Sequence, residues 1–140
     1  MILDKDLQFS LAQAVTSGSA DASTNYIDLG IARDIGTGED LEILVQITTV
    51  MVGAGTIVVT LEQDDNTAFS SPTTIQTLGT FPATSAVGTA IKGRIQPGAI
   101  TERYIRLKYT NGVVTGSVSA HMAHGVDAMT YYQDGFNIAT

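Results

Sequence analysis

From Asn25 onward the chain alternates apolar and polar residues with a period of two. Leu41, Ile43, Val45 and Ile47 alternate with Glu42, Leu44, Gln46 and Thr48, and Ile57, Val59 and Leu61 alternate with Val58, Thr60 and Glu62. Successive side chains of a strand point to opposite faces, so each run predicts a β-strand with one apolar face. Between them, Val52-Gly53-Ala54-Gly55 predicts a turn, because glycine reaches backbone angles closed to other residues. Further on, Thr73 to Thr80 reads as a strand, as does the alternation of Ile91, Gly93 and Ile95 with Lys92, Arg94 and Gln96, which Pro97-Gly98 ends. Ile105, Leu107 and Tyr109 face one way, with Tyr104, Arg106 and Lys108 on the other. Asn111-Gly112 predicts a tight hairpin, since a type I′ turn needs positive φ at both central residues, with a return strand over Val114 to His124.

No stretch sustains a 3.6-residue apolar period through a helix. Seven or eight short strands separated by Gly, Pro or Asn-Gly predict an all-β, single-domain, jelly-roll-like antiparallel β-sandwich. Residues 1–24 carry only the segment Leu7 to Leu11 and a small polar run from Thr16 to Thr24, and read as an N-terminal arm or edge strand leading into a loop. Residues 25–140 form the sandwich, with the aromatic tail Tyr131 to Phe136 expected to pack back onto it. Asp64-Asp65-Asn66 and Pro72 bound a loop, because Asp and Asn bond their own backbone and Pro lacks a ladder N–H.

Composition narrows the function. A chain of 140 residues suits one domain that buries roughly 65–70% of its unfolded surface. It has no Cys, so disulfides, thiolate chemistry and Cys-ligated zinc are excluded. Only 15% of residues are charged while 44% are hydrophobic. Much of the surface is therefore Thr, Ser, Gly, Ala and Asn, which suits close contact with protein neighbours because few strongly hydrated charges are lost on burial. A net charge of −7 argues against nucleic acid as a partner. The charges are segregated: Asp34 to Asp65 holds seven acidic residues and no basic one, while Lys92 to Lys108 holds five of the seven basic residues and one acid. Such patches either steer association or neutralise each other across neighbouring strands. The N-terminal residues lack a basic region followed by an apolar run, and no apolar stretch approaches the roughly 20 residues that span a bilayer, so synthesis in a cytoplasm and no membrane partner are expected.

Candidate chemistry is sparse. His121 and His124 are three apart on one strand and point to opposite faces, so they do not share a metal readily. Asp64-Asp65-Asn66 resembles part of a calcium loop but lacks the remaining oxygen ligands. Gly36-Thr37-Gly38 is too short for a phosphate cradle, and Glu39-Asp40 reads as the exposed end of an element. No nucleophile elbow is present, and there is no Trp to line a sugar cleft. No catalytic residue, metal or cofactor is assigned, and an enzyme is not expected. Tyr104, Arg106 and Lys108 form the candidate protein interface, since Tyr and Arg dominate interface energetics. On that reading Arg106→Glu abolishes partner binding and leaves the fold intact. An ordinary solvated sheet face is the plain alternative.

Several runs, in order, resemble those of the Bordetella-phage-type capsid cement (decoration) proteins. They are Asp4-Lys5-Asp6-Leu7-Gln8-Phe9-Ser10; Asn25-Tyr26-Ile27-Asp28-Leu29-Gly30, continuing through Ala32-Arg33-Asp34-Ile35-Gly36; Asp64 through Pro72; Arg103-Tyr104-Ile105-Arg106-Leu107-Lys108-Tyr109; and Gly135-Phe136. The resemblance implies a jelly-roll protein on the outer surface of an icosahedral head, a virion component made in the host cytoplasm. It also implies a homo-oligomer, a dimer ahead of a trimer, that clamps neighbouring major capsid proteins. It implies no catalytic residues. The alternatives are a carbohydrate-binding jelly-roll module of a phage or cell-wall protein, with Tyr26, Tyr104, Tyr131 and Tyr132 as its stacking aromatics, and a small hydrolase.

Overall fold

The computed structural model describes residues 4–36, 38 and 41–124; Glu39-Asp40, Thr37 and the tail from Tyr131 to Phe136 lie outside them. Among these described residues, a 3-10 turn at Lys5–Leu7 is followed by seven strands: β1 Gln8–Val15, β2 Ala20–Ala22, β3 Ile27–Asp28, β4 Leu41–Asp64, β5 Thr73–Pro82, β6 Ala90–Arg94 and β7 Tyr104–His124. All pairings among them are antiparallel. The fold class read from periodicity, an all-β antiparallel sandwich, is the one observed.

Two expected turns are not turns. Residues 41–64 form one strand of 24 residues instead of two strands joined at Val52-Gly53-Ala54-Gly55. Tyr104 to His124 likewise continues as one strand, with no hairpin at Asn111-Gly112. The two long strands pair along their whole length, from Leu41↔His124 to Asp64↔Tyr104, with register shifts between Ile47 and Ile57. The freedom of Gly53 (φ +141) and Gly55 (φ +119) bends this ribbon instead of reversing the chain. A Cβ at Gly53 would land on the Val113 carbonyl, so the bend also needs a bare backbone there. Asn111 and Gly112 are not among the positive-φ residues, which a type I′ turn requires. Asn111 instead pairs with Ile57, and its side-chain amide donates to the carbonyls of Thr16 and Val114, each at 2.6 Å.

The bent ribbon supplies the middle of both layers. In one layer its outer neighbours are β1, along Gly116–His121, and β6, along Glu42–Gln46. In the other they are β2 and β3, along Tyr104–Thr110, and β5, along Thr56–Gln63. The layers face each other across one apolar core. Ser10 of β1 meets the buried Tyr109 hydroxyl at 2.8 Å, and Gly79 of β5 lies against the Ile91 side chain of β6. The period-two residues fill that core: Ile43, Val45, Ile57, Val59, Leu61, Ile105, Leu107 and Tyr109 are all buried. The segment read as an N-terminal arm or edge strand contributes β1 and β2, both hydrogen-bonded to β7.

The free ends of the ribbon meet at one end of the sandwich. Ile95 donates to the Leu41 carbonyl in one layer, and a few residues on, Thr101 donates to the Gln63 side chain in the other. The bend occupies the opposite end. There Ser85 and Thr89 carbonyls accept from Met51 and Ile47, and Gly18 donates to Gly112.

Candidate functional site: the Tyr104–Lys108 face

Alternation along β7 buries Ile105, Leu107 and Tyr109 and leaves Tyr104, Arg106 and Lys108 half-buried on the outer face, as the sequence predicts. Register then places Glu62 of β4 directly opposite Arg106. The Glu62 side chain is only 3% exposed, capped by Arg106 at 3.1 Å and Lys108 at 3.3 Å. A carboxylate so enclosed requires both partners, because an unpaired buried charge is costly. Acidic and basic residues on neighbouring strands thus neutralise each other here.

Arg106 also lies over the Phe69 ring, 4.2 Å from its centroid. Phe69 belongs to the loop after β4, and its φ of +48 is unusual for a bulky residue. That loop is shaped by Asp64, which accepts from the N–H of Asn66 and of Ser71 and from the Asn66 side chain. Burial would raise the Asp64 pKa, but the Ser71 and Asn66 N–H groups outweigh it and hold the carboxyl below its ordinary value. Both Asp64 oxygens thus serve the turn. Among the described residues no group of three or more His, Asp or Glu is gathered as a metal site.

Tyr26 completes an aromatic cluster, edge-on to Tyr104 at 5.6 Å and tilted against Phe69 at 6.1 Å. Arg103 stacks over Tyr104 and grips Asp28 with two bonds of 2.7 Å. That grip, with the Gly30 N–H, holds the Asp28 pKa down to about 2. An open groove with Tyr26 on its wall runs between Lys5–Gln8 and Asn25–Asp28. Tyr131 and Tyr132 lie outside the described residues.

The three candidate residues therefore share one face, but their cations already serve Glu62. Arg106→Glu is not a clean interface test, since it would strip Glu62 of its main partner and set two carboxylates side by side. Sequence reasoning missed Glu62, Phe69 and the pairing of Asp28 with Arg103. The segregated charges were the available signal for the ion pairs; no periodicity marks Phe69. His121 is buried on the layer's outer face opposite Leu44, its Nδ1 lacks a hydrogen-bond partner, and burial lowers its pKa.

The opposite end differs in chemistry. The spans 7–20, 43–61, 66–91 and 109–120 contain no Asp, Glu, Lys or Arg, and the bend at Gly53–Gly55 and the loops against it, at 16–19 and 83–89, lie within them. Val50, Val52, Val87 and Val113 stand exposed there.

No curated protein matches the chain. Among solved structures, the CBM22-1–GH10 modules of a Clostridium thermocellum endo-1,4-β-D-xylanase, complexed with xylohexaose, are similar at 12% identity and a TM-score of 0.39. That similarity covers 95% of this chain but 28% of the xylanase, and at such a score it carries no argument about function. The model of the Bbp16 family matches residues 9–126, a span that takes in every strand but the first residue of β1, and is consistent with a phage protein family. The chain belongs to the Bbp16 family.

Proposed function

We propose that this protein is a phage capsid cement protein, which binds the outside of the head and stabilises contacts between major capsid proteins. The observation that carries the reading is the family match across residues 9–126. The physical character of the molecule supports it. A disulfide-free sandwich with a continuous core is rigid enough to brace two neighbours, and its low-charge surface sacrifices little hydration when covered. It acts by binding, without catalysis or cofactor. Association with itself, as a dimer, multiplies modest contacts on a shell that repeats its binding surface many times. The Tyr104–Lys108 face, with Tyr26 and Phe69, is the candidate contact. Its aromatic rings and Arg stems provide contact area while its charges stay paired internally.

The test is addition of purified protein to undecorated heads, followed by sedimentation and thermal release of packaged DNA. Saturable co-sedimentation and a higher release temperature are expected. No binding at micromolar concentration overturns the reading.

A further inference from the structure

Among the described residues the sandwich has four lateral edges, of which three are tied down, very short or charged. On β1, the Phe9 carbonyl accepts from the Asn25 N–H at 2.9 Å, and the Gln13 side chain ties down Ala22 and Thr24. β2 and β3 are three and two residues long, too short to template another strand. β6 has five residues and carries Lys92 and Arg94, and charged side chains on an edge resist pairing. β5 is different. It has ten residues, none charged, and among the described residues no hydrogen bond beyond its ladder with β4 engages the backbone of residues 73–81.

Side chains along β5 fit the same picture. Thr73, Thr74, Thr77 and Thr80 are exposed. Ile75 and Leu78, with Ile91 of the facing β6, are only partly buried against the core, so the sandwich is apolar and incompletely covered on this side. Gln76 spans the seam by donating to the Arg94 carbonyl at 2.8 Å and leaves its own Oε1 without a donor.

The register shifts opposite Ile75 and Leu78 decide what can pair here. Two bulges increase the twist of the strand, so the rigid edge of a second sandwich matches it poorly. A flexible chain can follow that twist, and each added backbone pair satisfies groups now left to water.

We propose that the outer edge of β5 is a strand-addition site for an extended, uncharged segment of a partner polypeptide, with apolar side chains at alternate positions. Those side chains lie over Ile75, Leu78 and Ile91, and the polar ones continue the threonine face. The proposal rests on the reading that this protein works by binding other proteins, but its test needs no capsid.

The probe is a capped peptide of alternating Thr and Val, as long as β5, with a lysine at each end for solubility. Amide exchange in the labelled full-length protein reads out its position. Saturable binding with slowed exchange confined to β5 is expected. The same peptide N-methylated at every residue should bind about tenfold or more weakly, because it has no N–H left to donate. Unprotected β5 amides at millimolar peptide overturn the proposal, as does protection at another edge or equal binding of the N-methylated peptide. Self-association through β5 without peptide overturns the assigned occupant. Head binding with β5 amides unchanged by the peptide would sink this proposal and leave the cement reading standing.

Discussion

The two ends of the sandwich are built from the same pair of strands yet hold together by different means. At the open end, β4 and β7 join through paired charges: Glu62 beneath Arg106 and Lys108, and nearby Asp28 gripped by Arg103. At the bent end the same strands meet through backbone proximity at Gly53 and Val113, with no charged residue in the spans that form it. The difference shows what the charges are for. In a chain with only 15% charged residues, these five, Asp28, Glu62, Arg103, Arg106 and Lys108, fasten strands and rings to one another. At the bent end no ion pair joins β4 to β7 among the described residues; the Asp21 carboxylate ties down the Thr16–Ser19 loop, and the ribbon presents exposed valines.

The largest effect should come from the bend. Gly53→Ala places a methyl group on the Val113 carbonyl at a backbone angle that alanine resists, and should cost about 3 kcal/mol or more. Denaturant unfolding measures it. A cost below about 1 kcal/mol would mean the ribbon bends without needing a bare backbone there.

Next comes the buried carboxylate. Arg106→Ala leaves Glu62 with Lys108 alone, and should cost about 2 kcal/mol, below the usual figure for a buried pair because Arg106 is 20% exposed. Replacing Glu62 and Arg106 together by Gln and Met should recover part of that loss. A double variant no better than Arg106→Ala would show that ring packing on Phe69, not charge, is what Arg106 supplies.

A pH effect follows at the same end. The Asp28 pKa is depressed to about 2 in the folded protein, against about 3.9 in an unfolded chain. Its contribution is present above the unfolded value and is lost as pH falls from about 4 through about 2. Asp28→Asn should flatten stability across that window, read from acid titrations of the unfolding midpoint. An unchanged slope would assign acid sensitivity to other groups, of which Asp64 shifts in the same direction.

The smallest effect belongs to the exposed valines. Val52 is 61% and Val113 63% exposed, so Val52→Thr and Val113→Thr should each change stability by less than about 0.5 kcal/mol. A larger loss would make this end part of the core.

What the sequence reveals depends on range. Alternation placed Ile43, Val45, Ile57, Leu61, Ile105 and Leu107 in the core because a strand's two faces are a local property. It failed at Gly53-Ala54-Gly55 and Asn111-Gly112, since the residues that permit a turn also permit a bulge. Which one forms depends on whether a partner strand continues alongside. Tyr104, Arg106 and Lys108 were legible as one face for the local reason. The burial of Glu62 beneath them depends on a register set 44 residues away in the chain, and Phe69 on a loop held by Asp64. Neither leaves a periodic trace.

On the proposed function, this acidic protein would cement a shell through a face whose Arg103, Arg106 and Lys108 are already paired within it. Binding to undecorated heads across a salt series tests it most directly. Charges spent internally leave little for salt to screen, so saturable binding should persist, with affinity changing less than about threefold between roughly 0.1 and 1 M salt. Absence of binding, or a steep loss of affinity with salt, would contradict the account.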